Sequence, residues 1–360
     1  MLTKHSFLAS NSKQLNKIND KSINLVVTSP PYPMIAMWDD IFSSQNKKIK
    51  NSLMNDDGKI AFESMHRELD KIWEEISRVI IDGGIACINI GDATRTIGGK
   101  FQLFSSHSRI ISKFIELGFV NLPNIIWRKP TNSPTKFMGS GMYPPGAYVT
   151  LEHEYILIFR KGNKRAFNGP DEKQKRREST YFWEERNLWF SDIWFDLKGV
   201  SQKTINNNMR ERTAAYPFDL PYRLINMFSI KNDVILDPFL GTGTTTLAAI
   251  ASSRDSIGID IDKTFVNFAI ESITNTKIFT INDYINSRIE KHLLFVEERK
   301  KKYGEGALKY TNDHHKFPVM TKQEQEGKFD FINEINLDKN NSIITVEHSQ
   351  ENNYTELKLF

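Results

Sequence analysis

A chain of 360 residues exceeds what one small core needs and fits one large α/β domain with an insertion or second module. Its 39% hydrophobic and 26% charged content is ordinary for a globular protein, and a formal charge of +4 says little about partners, so any anion-binding surface has to come from local clustering. The single cysteine, Cys87, excludes a disulfide framework and a cysteine zinc site; no apolar run of about 18 residues can span a membrane, and residues 1–20 are polar and of mixed charge, so a cytoplasmic protein is expected.

In chain order, Ile23 to Val27 read as a buried strand, stopped by Thr28-Ser29-Pro30-Pro31-Tyr32. Two prolines fix φ and remove two donors, and each keeps its predecessor out of the helical region. The result is a stiff loop that holds a hydroxyl (Ser29), a carbonyl (Pro30) and an aromatic ring (Tyr32) in fixed relation. A planar ligand with an exocyclic amine suits it; the plain alternative is an ordinary Pro-rich turn. Pro33 to Asp57 read as a mobile loop or short helix. Apolar residues every three or four positions predict a helix from Ile60 to Ile81, ended by Asp82-Gly83-Gly84. A strand at Ile85–Ile90, a helix at Leu103–Leu117, and strands at Phe119–Arg128 and Tyr148–Phe159 follow. This alternation argues for an α/β layered sheet.

Residues 160–212 break the rhythm. Arg160, Lys161, Lys164, Arg165, Lys173, Lys175, Arg176 and Arg177 form a basic cluster, with Tyr181, Phe182, Trp183, Trp189, Phe190, Trp194 and Phe195 close behind. Cations for phosphates beside π-faces for bases suit a nucleic-acid surface. A solvated loop followed by a small apolar core is the competing reading, and the stronger one for the aromatics.

Pro221–Phe228 read as a helix. Val234-Ile235-Leu236-Asp237-Pro238-Phe239-Leu240-Gly241-Thr242-Gly243-Thr244-Thr245-Thr246 then runs strand, Gly-rich turn, helix, the topology of a nucleotide crevice. It lacks the Gly-Lys-Ser/Thr of a phosphate-binding Walker loop, and Thr246 replaces the third glycine of a dinucleotide fingerprint. Ser256–Asp260 is a strand ending in an acid placed to accept ribose hydroxyls, with Asp262 as a competitor. A ribose-bearing ligand without a pyrophosphate fits, and S-adenosylmethionine is one. Beyond Asn275 a helix at Ile281–Lys302 and a terminal hairpin of Ser342–Glu347 and Tyr354–Phe360 are expected, with residues 303–335 weakly patterned. His314-His315 has no spaced partners, so no metal site is expected.

TSPPY at 28–32 and VILDPFLGTGTT at 234–245, in that order, resemble the amino-group (N4-cytosine and N6-adenine) DNA methyltransferases in the permuted β-group arrangement. The resemblance covers roughly residues 7–275. It implies a Rossmann-like S-adenosylmethionine-dependent sheet with helices on both faces: residues 1–130 as the catalytic half, 131–212 as the target-recognition region with a returning core strand near 148–160, 213–275 as the cofactor half, and 276–360 as an extension of unknown role. Carried over by position, Ser29, Pro30, Pro31 and Tyr32 hold the target base. Thr28, Asp237, Pro238, Phe239, Gly241, Gly243, Thr244 and Thr245 line the cofactor, and Asp260 holds its ribose. Ser10-Asn11 stands where many relatives carry Gly-Asp.

The implied reaction is methylation of the N4 amine of a cytosine flipped out of double-stranded DNA, in a restriction–modification system; a homodimer and a cognate endonuclease are compatible partners. Ser in the first position resembles the N4-cytosine enzymes of the family more than the adenine enzymes, which implies cytosine ahead of N6 of adenine. Methylation at ring carbon 5 would need an attacking cysteine, and Cys87 lies mid-strand. An RNA or protein acceptor, or a non-catalytic DNA-binding module of this fold, are the other readings. Asn89 and Asp92 are read as facing the cofactor or building a turn, and His153-Glu154 as structural.

Overall fold

The computed structural model describes residues 1–129, 138–198 and 216–350. Its strands are β1 (Leu2–Ala9), β2 (Ile23–Thr28), β3 (Ile80–Ile90), β4 (Ala93–Ile97), β5 (Lys100–Phe104), β6 (Phe119–Asn121), β7 (Ile125–Arg128), β8 (His153–Lys161), β9 (Ile193–Trp194), β10 (Val234–Asp237), β11 (Asp255–Asp260), β12 (Tyr310–Thr311), β13 (Pro318–Val319), β14 (Phe331–Asp338) and β15 (Ile343–Ser349). The main sheet runs β14-β15-β1-β11-β10-β2-β3-β8-β7-β9, with β6 also on β8. From β1 to β3 the neighbours are parallel; β8 enters antiparallel beside β3.

Alternation along each strand builds a core on each face of this sheet. Leu25 and Val27 of β2, Cys87 of β3 and Ile156 and Ile158 of β8 join one; Val26, Ala86, Ile88, Leu157 and Phe159 join the other. Strands covered on both faces read as near-continuous apolar runs, which is why these were visible in the sequence. The helix Gly58–Val79 crosses from β2 to β3 over one face, burying Met65, Leu69, Ile72, Trp73 and Ile76. The helix Thr244–Ala251 crosses from β10 to β11 and joins the opposite core.

Several boundaries differ from the sequence expectation. The long helix stops at Val79, because Ile80 already pairs with Ile23 in β3. Residues 33–57 hold helices Asp39–Gln45 and Lys47–Met54, the second capped by Asn46 Oδ1, which accepts from Lys48 N at 3.0 Å. The segment from Leu103 opens with the β4–β5 hairpin, so its helix starts at Ser106. Phe119–Arg128 splits into β6 and β7 around Pro123, which cannot donate to a ladder. The following strand starts at His153.

β1 carried no sequence signal because it buries polar side chains: Thr3 and His5 bond to each other at 3.0 Å, Thr3 to His348 and His5 to Ser256. The helix Ile278–Tyr303 matches expectation, but the terminal hairpin is β14–β15, and it extends the main sheet beyond β1. The expected strand Tyr354–Phe360 lies outside the described residues. Of the aromatics at 181–195, Phe182, Trp189 and Trp194 are core, Phe182 stacking on His292 with centroids 3.9 Å apart. No helix among the described residues is long and apolar enough to cross a membrane.

Candidate active site

β2 leads to the right of the sheet and β10 to the left, so the crevice beyond their carboxyl ends is the topological switch point where open α/β sheets bind ligands. The Ser29–Pro31 loop leaves β2 there, and the Gly-rich turn leaves β10. Between them lies a cavity of about 290 Å³. Ser29, Pro30 and Pro31 form one wall; Pro238, Phe239, Gly241, Thr244 and Asp260 form another; Trp38, Ile41 and Phe265 close it with apolar surface. Asn11, in the Ser10-Asn11 departure, also lines it.

Asp237 ties the two loops together. Its Oδ1 accepts from Thr28 Oγ1 at 2.6 Å and from Phe239 N at 3.0 Å; its Oδ2 accepts from Thr245 Oγ1 at 2.6 Å, and Tyr216 bonds to Thr245. Burial pushes the Asp237 carboxyl up to about 6, against which the Thr245 and Thr28 hydroxyls pull. Gly243 opens the following helix at φ +84°, where a Cβ would also stand 3.0 Å from that of Ala269, so glycine is needed on both counts. Asp260 accepts from Gly241 N at 3.0 Å and Asp262 N at 2.9 Å, and burial raises its pKa. Asp262 caps the helix Lys263–Thr274 through Thr264 N.

Tyr32 sits deeper than the sequence suggests. It is only 6% exposed, and a Cβ on Gly91 would come within 3.0 Å of its ring. Its hydroxyl donates to Glu154 Oε2 at 2.9 Å and accepts from Asn89 Nδ2 at 2.8 Å and Ser29 Oγ at 3.1 Å. Asn89 Nδ2 also donates to Glu154 Oε2 at 2.7 Å, while Lys129 Nζ reaches Glu154 Oε1. Burial, then the charge of Glu154, holds the phenol well above its usual range. Glu154, read from sequence as structural, therefore belongs to the site, and nothing local in the sequence marked it. Asp92 turns away and caps the helix Ser106–Glu116, accepting from His107 N at 3.0 Å and from its ring.

The structure thus brings together Ser29, Pro30, Pro31, Asp237, Pro238, Phe239, Gly241, Thr244 and Asp260. Thr28, Gly243 and Thr245 stand behind the cavity wall and act through Asp237 and the turn. The basic cluster does not join the site. Antiparallel pairing of Arg160 with Ile85 and Tyr155 with Ile90 carries β8 to the other end of the sheet. There Lys161 Nζ donates to the Ser77 and Ile80 carbonyls, Arg165 donates to both oxygens of Asp233 at 2.8 Å, and Arg177 pairs with Glu326. Arg176 lies over the Phe167 ring; Lys164 and Lys175 are exposed. Local density of charge had suggested a DNA surface; of these side chains Lys161 and Arg165 satisfy carbonyls and a buried carboxylate within the fold, while Lys164, Lys175 and Arg176 are exposed. Cys87 is fully buried and its thiol is pushed far up by burial, which suits a packing role.

A doubly covered, largely parallel sheet with an acid-ended strand and a rigid polar loop at its switch point is the architecture of the S-adenosylmethionine-dependent methyltransferases. The cavity's lining suits that cofactor: apolar side chains such as Phe239 and Phe265 would hold an adenine, Asp260 would accept from a ribose, and the Asp237 carboxylate would favour a cationic group. The family described as DNA methylase, N6_N4_Mtase, matches residues 23–272, and the chain belongs to it. It is 53% identical over 327 residues to the type II methyltransferase M.MthZI of Methanothermobacter thermautotrophicus, covering 91% of this chain and 90% of that one. To the type II methyltransferase M.MjaI of Methanocaldococcus jannaschii it is 49% identical over 75% of this chain and 91% of the relative. The structure of TTHA0409 from Thermus thermophilus, complexed with S-adenosyl-L-methionine, superposes with a TM-score of 0.57 at 30% identity, over 75% of this chain and 95% of that one. The cytosine-N4-specific PvuII DNA methyltransferase shares the fold, with a TM-score of 0.53 at 18% identity over 80% of this chain and 93% of that one. The protein is a type II DNA amino-methyltransferase that uses S-adenosylmethionine.

Proposed function

We propose that the amine methylated is N4 of a cytosine flipped out of duplex DNA, and that the enzyme protects host DNA in the cytoplasm against a cognate restriction endonuclease. The observation that carries this is that Ser29 and Pro30 line the same cavity as Asp237 and Phe239. An exocyclic amine is a weak nucleophile because its lone pair is delocalised into the ring. Ser29 Oγ and the Pro30 carbonyl accept its two hydrogens, favour a pyramidal nitrogen and aim the lone pair across the cavity. S-adenosylmethionine, when bound, supplies a methyl on a cationic sulfur. The remaining acceleration is positioning and electrostatics. Serine at the head of the loop resembles the cytosine enzymes of the family, which supports cytosine over adenine.

Residues 1–130 supply the base-holding half, 213–275 the cofactor half, and 131–212 target recognition. Part of that middle region lies at the cavity end of β8, where Tyr148 stacks on Phe101 of the β4–β5 hairpin with centroids 4.5 Å apart. Because little of the Tyr32 ring is exposed, stacking of the flipped base on it requires its covering to move aside; its hydroxyl is engaged already. The test is methyl transfer from labelled cofactor to duplex DNA, with mass spectrometry of the nucleosides. N4-methylcytosine is the expected product. N6-methyladenine would overturn the choice of base, and bound cofactor with no label in DNA would overturn the substrate.

A further inference from the structure

The polar groups behind Ser29 form a chain with a defined direction. Glu154 ends it. A carboxylate only accepts, so the one proton of the Tyr32 hydroxyl goes to Glu154 Oε2 at 2.9 Å. With that proton committed, the Tyr32 oxygen can only accept from Ser29 Oγ at 3.1 Å, and the Ser29 proton points inward. Asn89 reinforces the same polarity: its Nδ2 donates to both Tyr32 OH and Glu154 Oε2, and a flipped amide would set its carbonyl against the carboxylate. Lys129 Nζ occupies Oε1, leaving Oε2 for this chain. Glu154 is 14% exposed at its side chain and comes from β8, Asn89 comes from β3, and Ser29 and Tyr32 follow β2, so the arrangement depends on three adjacent strands.

We propose that Glu154 is a positioning residue that acts through Tyr32 to make Ser29 an obligate hydrogen-bond acceptor, selecting an amine over a carbonyl at the target base and giving the displaced proton a way out. The proposal rests on the reading of the site as an amino-methyltransferase and adds how a serine performs there. A serine hydroxyl alone can donate or accept; the half-buried carboxylate at the far end of the chain removes the choice. In the reaction the amine nitrogen forms its bond to the methyl carbon as the sulfur–carbon bond breaks, the electron pair staying on sulfur. The nitrogen then carries one proton too many. That proton passes to Ser29 Oγ as the Ser29 proton passes to Tyr32 and the Tyr32 proton to Glu154, which afterwards releases it to water.

The test uses the full chain and a duplex carrying the site that wild-type enzyme methylates in plasmid DNA. Its partner duplex carries the deaminated base at the target position, so that a carbonyl replaces the amine. Equilibrium binding gives an amine-to-carbonyl preference for wild type and for Glu154→Gln. A glutamine amide can donate to Tyr32, which lets Tyr32 donate to Ser29 and Ser29 donate outward. The expected result is a preference reduced about ten-fold, the size of one mismatched buried hydrogen bond, together with a slower single-turnover rate and unchanged cofactor affinity. Comparing preferences cancels the easier flipping of a mismatched base. Tyr32→Phe, which keeps the ring and breaks the chain, should give the same two effects, and the double variant should be no worse than Tyr32→Phe alone. It also serves if Glu154→Gln fails to fold. An unchanged preference and rate in the folded variants, or additive losses, would overturn the proposal while leaving the methyltransferase reading intact. Failure of the wild type to methylate any DNA amine would instead overturn that reading.

Discussion

Thr28 Oγ1 donates to Asp237 Oδ1 at 2.6 Å, joining residues 209 positions apart in the chain. This bond crosses from β2 to β10 at the level where the base-holding loop and the cofactor loop diverge. It makes the relative placement of the two loops a property of the sheet. Thr28→Val keeps the shape and removes the hydroxyl, leaving the buried Asp237 short of a donor. The expected cost is about 1–3 kcal/mol, read as a lower thermal midpoint, with weaker cofactor binding by calorimetry.

Asp237 should also set a pH dependence. Its carboxyl is raised by burial from 3.8 to about 6, so it is largely protonated at pH 5 and ionised at pH 7. A ligand that brings a cation to this carboxylate binds the ionised form better, so cofactor affinity should rise with pH through about 6 and level off above it. Asp237→Asn should flatten that profile and bind more weakly. Without ligand the sign reverses. The folded state holds the proton that the unfolded chain gives up near 3.8, so this group's contribution is full below that pH and is lost as pH rises through about 6. The midpoint of Asp237→Asn should therefore gain on wild type between about pH 4 and 7, by up to about 3 kcal/mol in stability. A constant difference across that range would contradict the assignment.

Asp260 and Ser29 line the cavity from different strands, β11 and the loop after β2, and their losses should separate. Asp260→Ala removes the carboxylate that Gly241 N and Asp262 N hold in place, and should weaken cofactor binding about ten-fold or more. Ser29→Ala should leave cofactor affinity within about two-fold and slow single-turnover methyl transfer, by a factor on the order of 10² for one lost transition-state contact. Parallel changes in both variants would merge the two roles.

The basic cluster makes a contrary prediction to the one its composition invites. Replacing Lys164, Lys175 and Arg176 together by glutamine should leave the salt dependence of DNA binding unchanged, since each lost phosphate contact would lower the slope by about 0.9. Arg165→Gln should instead lower the thermal midpoint, because it removes the two guanidinium hydrogen bonds from Asp233, which is 4% exposed and keeps the bond from Ile230 N. A flattened slope would return the cluster to the DNA interface.

Cys87→Ala should retain methyl transfer within about two-fold. A buried thiol held in its neutral form contributes packing. Loss of activity in a protein with an unchanged midpoint would reopen nucleophilic chemistry.

By itself, the sequence determined the strands that are buried on both faces, the amphipathic helix of the β2–β3 crossover, and the two loops at the carboxyl ends of β2 and β10. Each of these is written locally: apolar runs and periodicity mark the elements, Pro30-Pro31 fixes a backbone, and Gly241 and Gly243 permit a tight turn. The acids Asp237 and Asp260 were legible for the same reason, since each ends its own strand. Only the tertiary structure decided which charges meet the site. Glu154 lies 122 positions from Tyr32 and Lys129 almost as far, and nothing local distinguishes them from surface residues; the antiparallel entry of β8 beside β3 puts Glu154 on the Tyr32 hydroxyl. That same entry, running the other way along the strand, carries Lys161 and Arg165 to the far edge of the sheet, where they satisfy carbonyls and a buried carboxylate. β1 stayed hidden because two of its three buried positions, Thr3 and His5, are polar, and a histidine such as His5 is acceptable inside only once Thr3 and Ser256 are beside it; β15 was legible as the expected strand Ser342–Glu347, whereas its partner β14 begins in a stretch read as weakly patterned. Proximity in sequence reports composition, whereas hydrogen-bond direction and electrostatic pairing depend on which strand lies next to which.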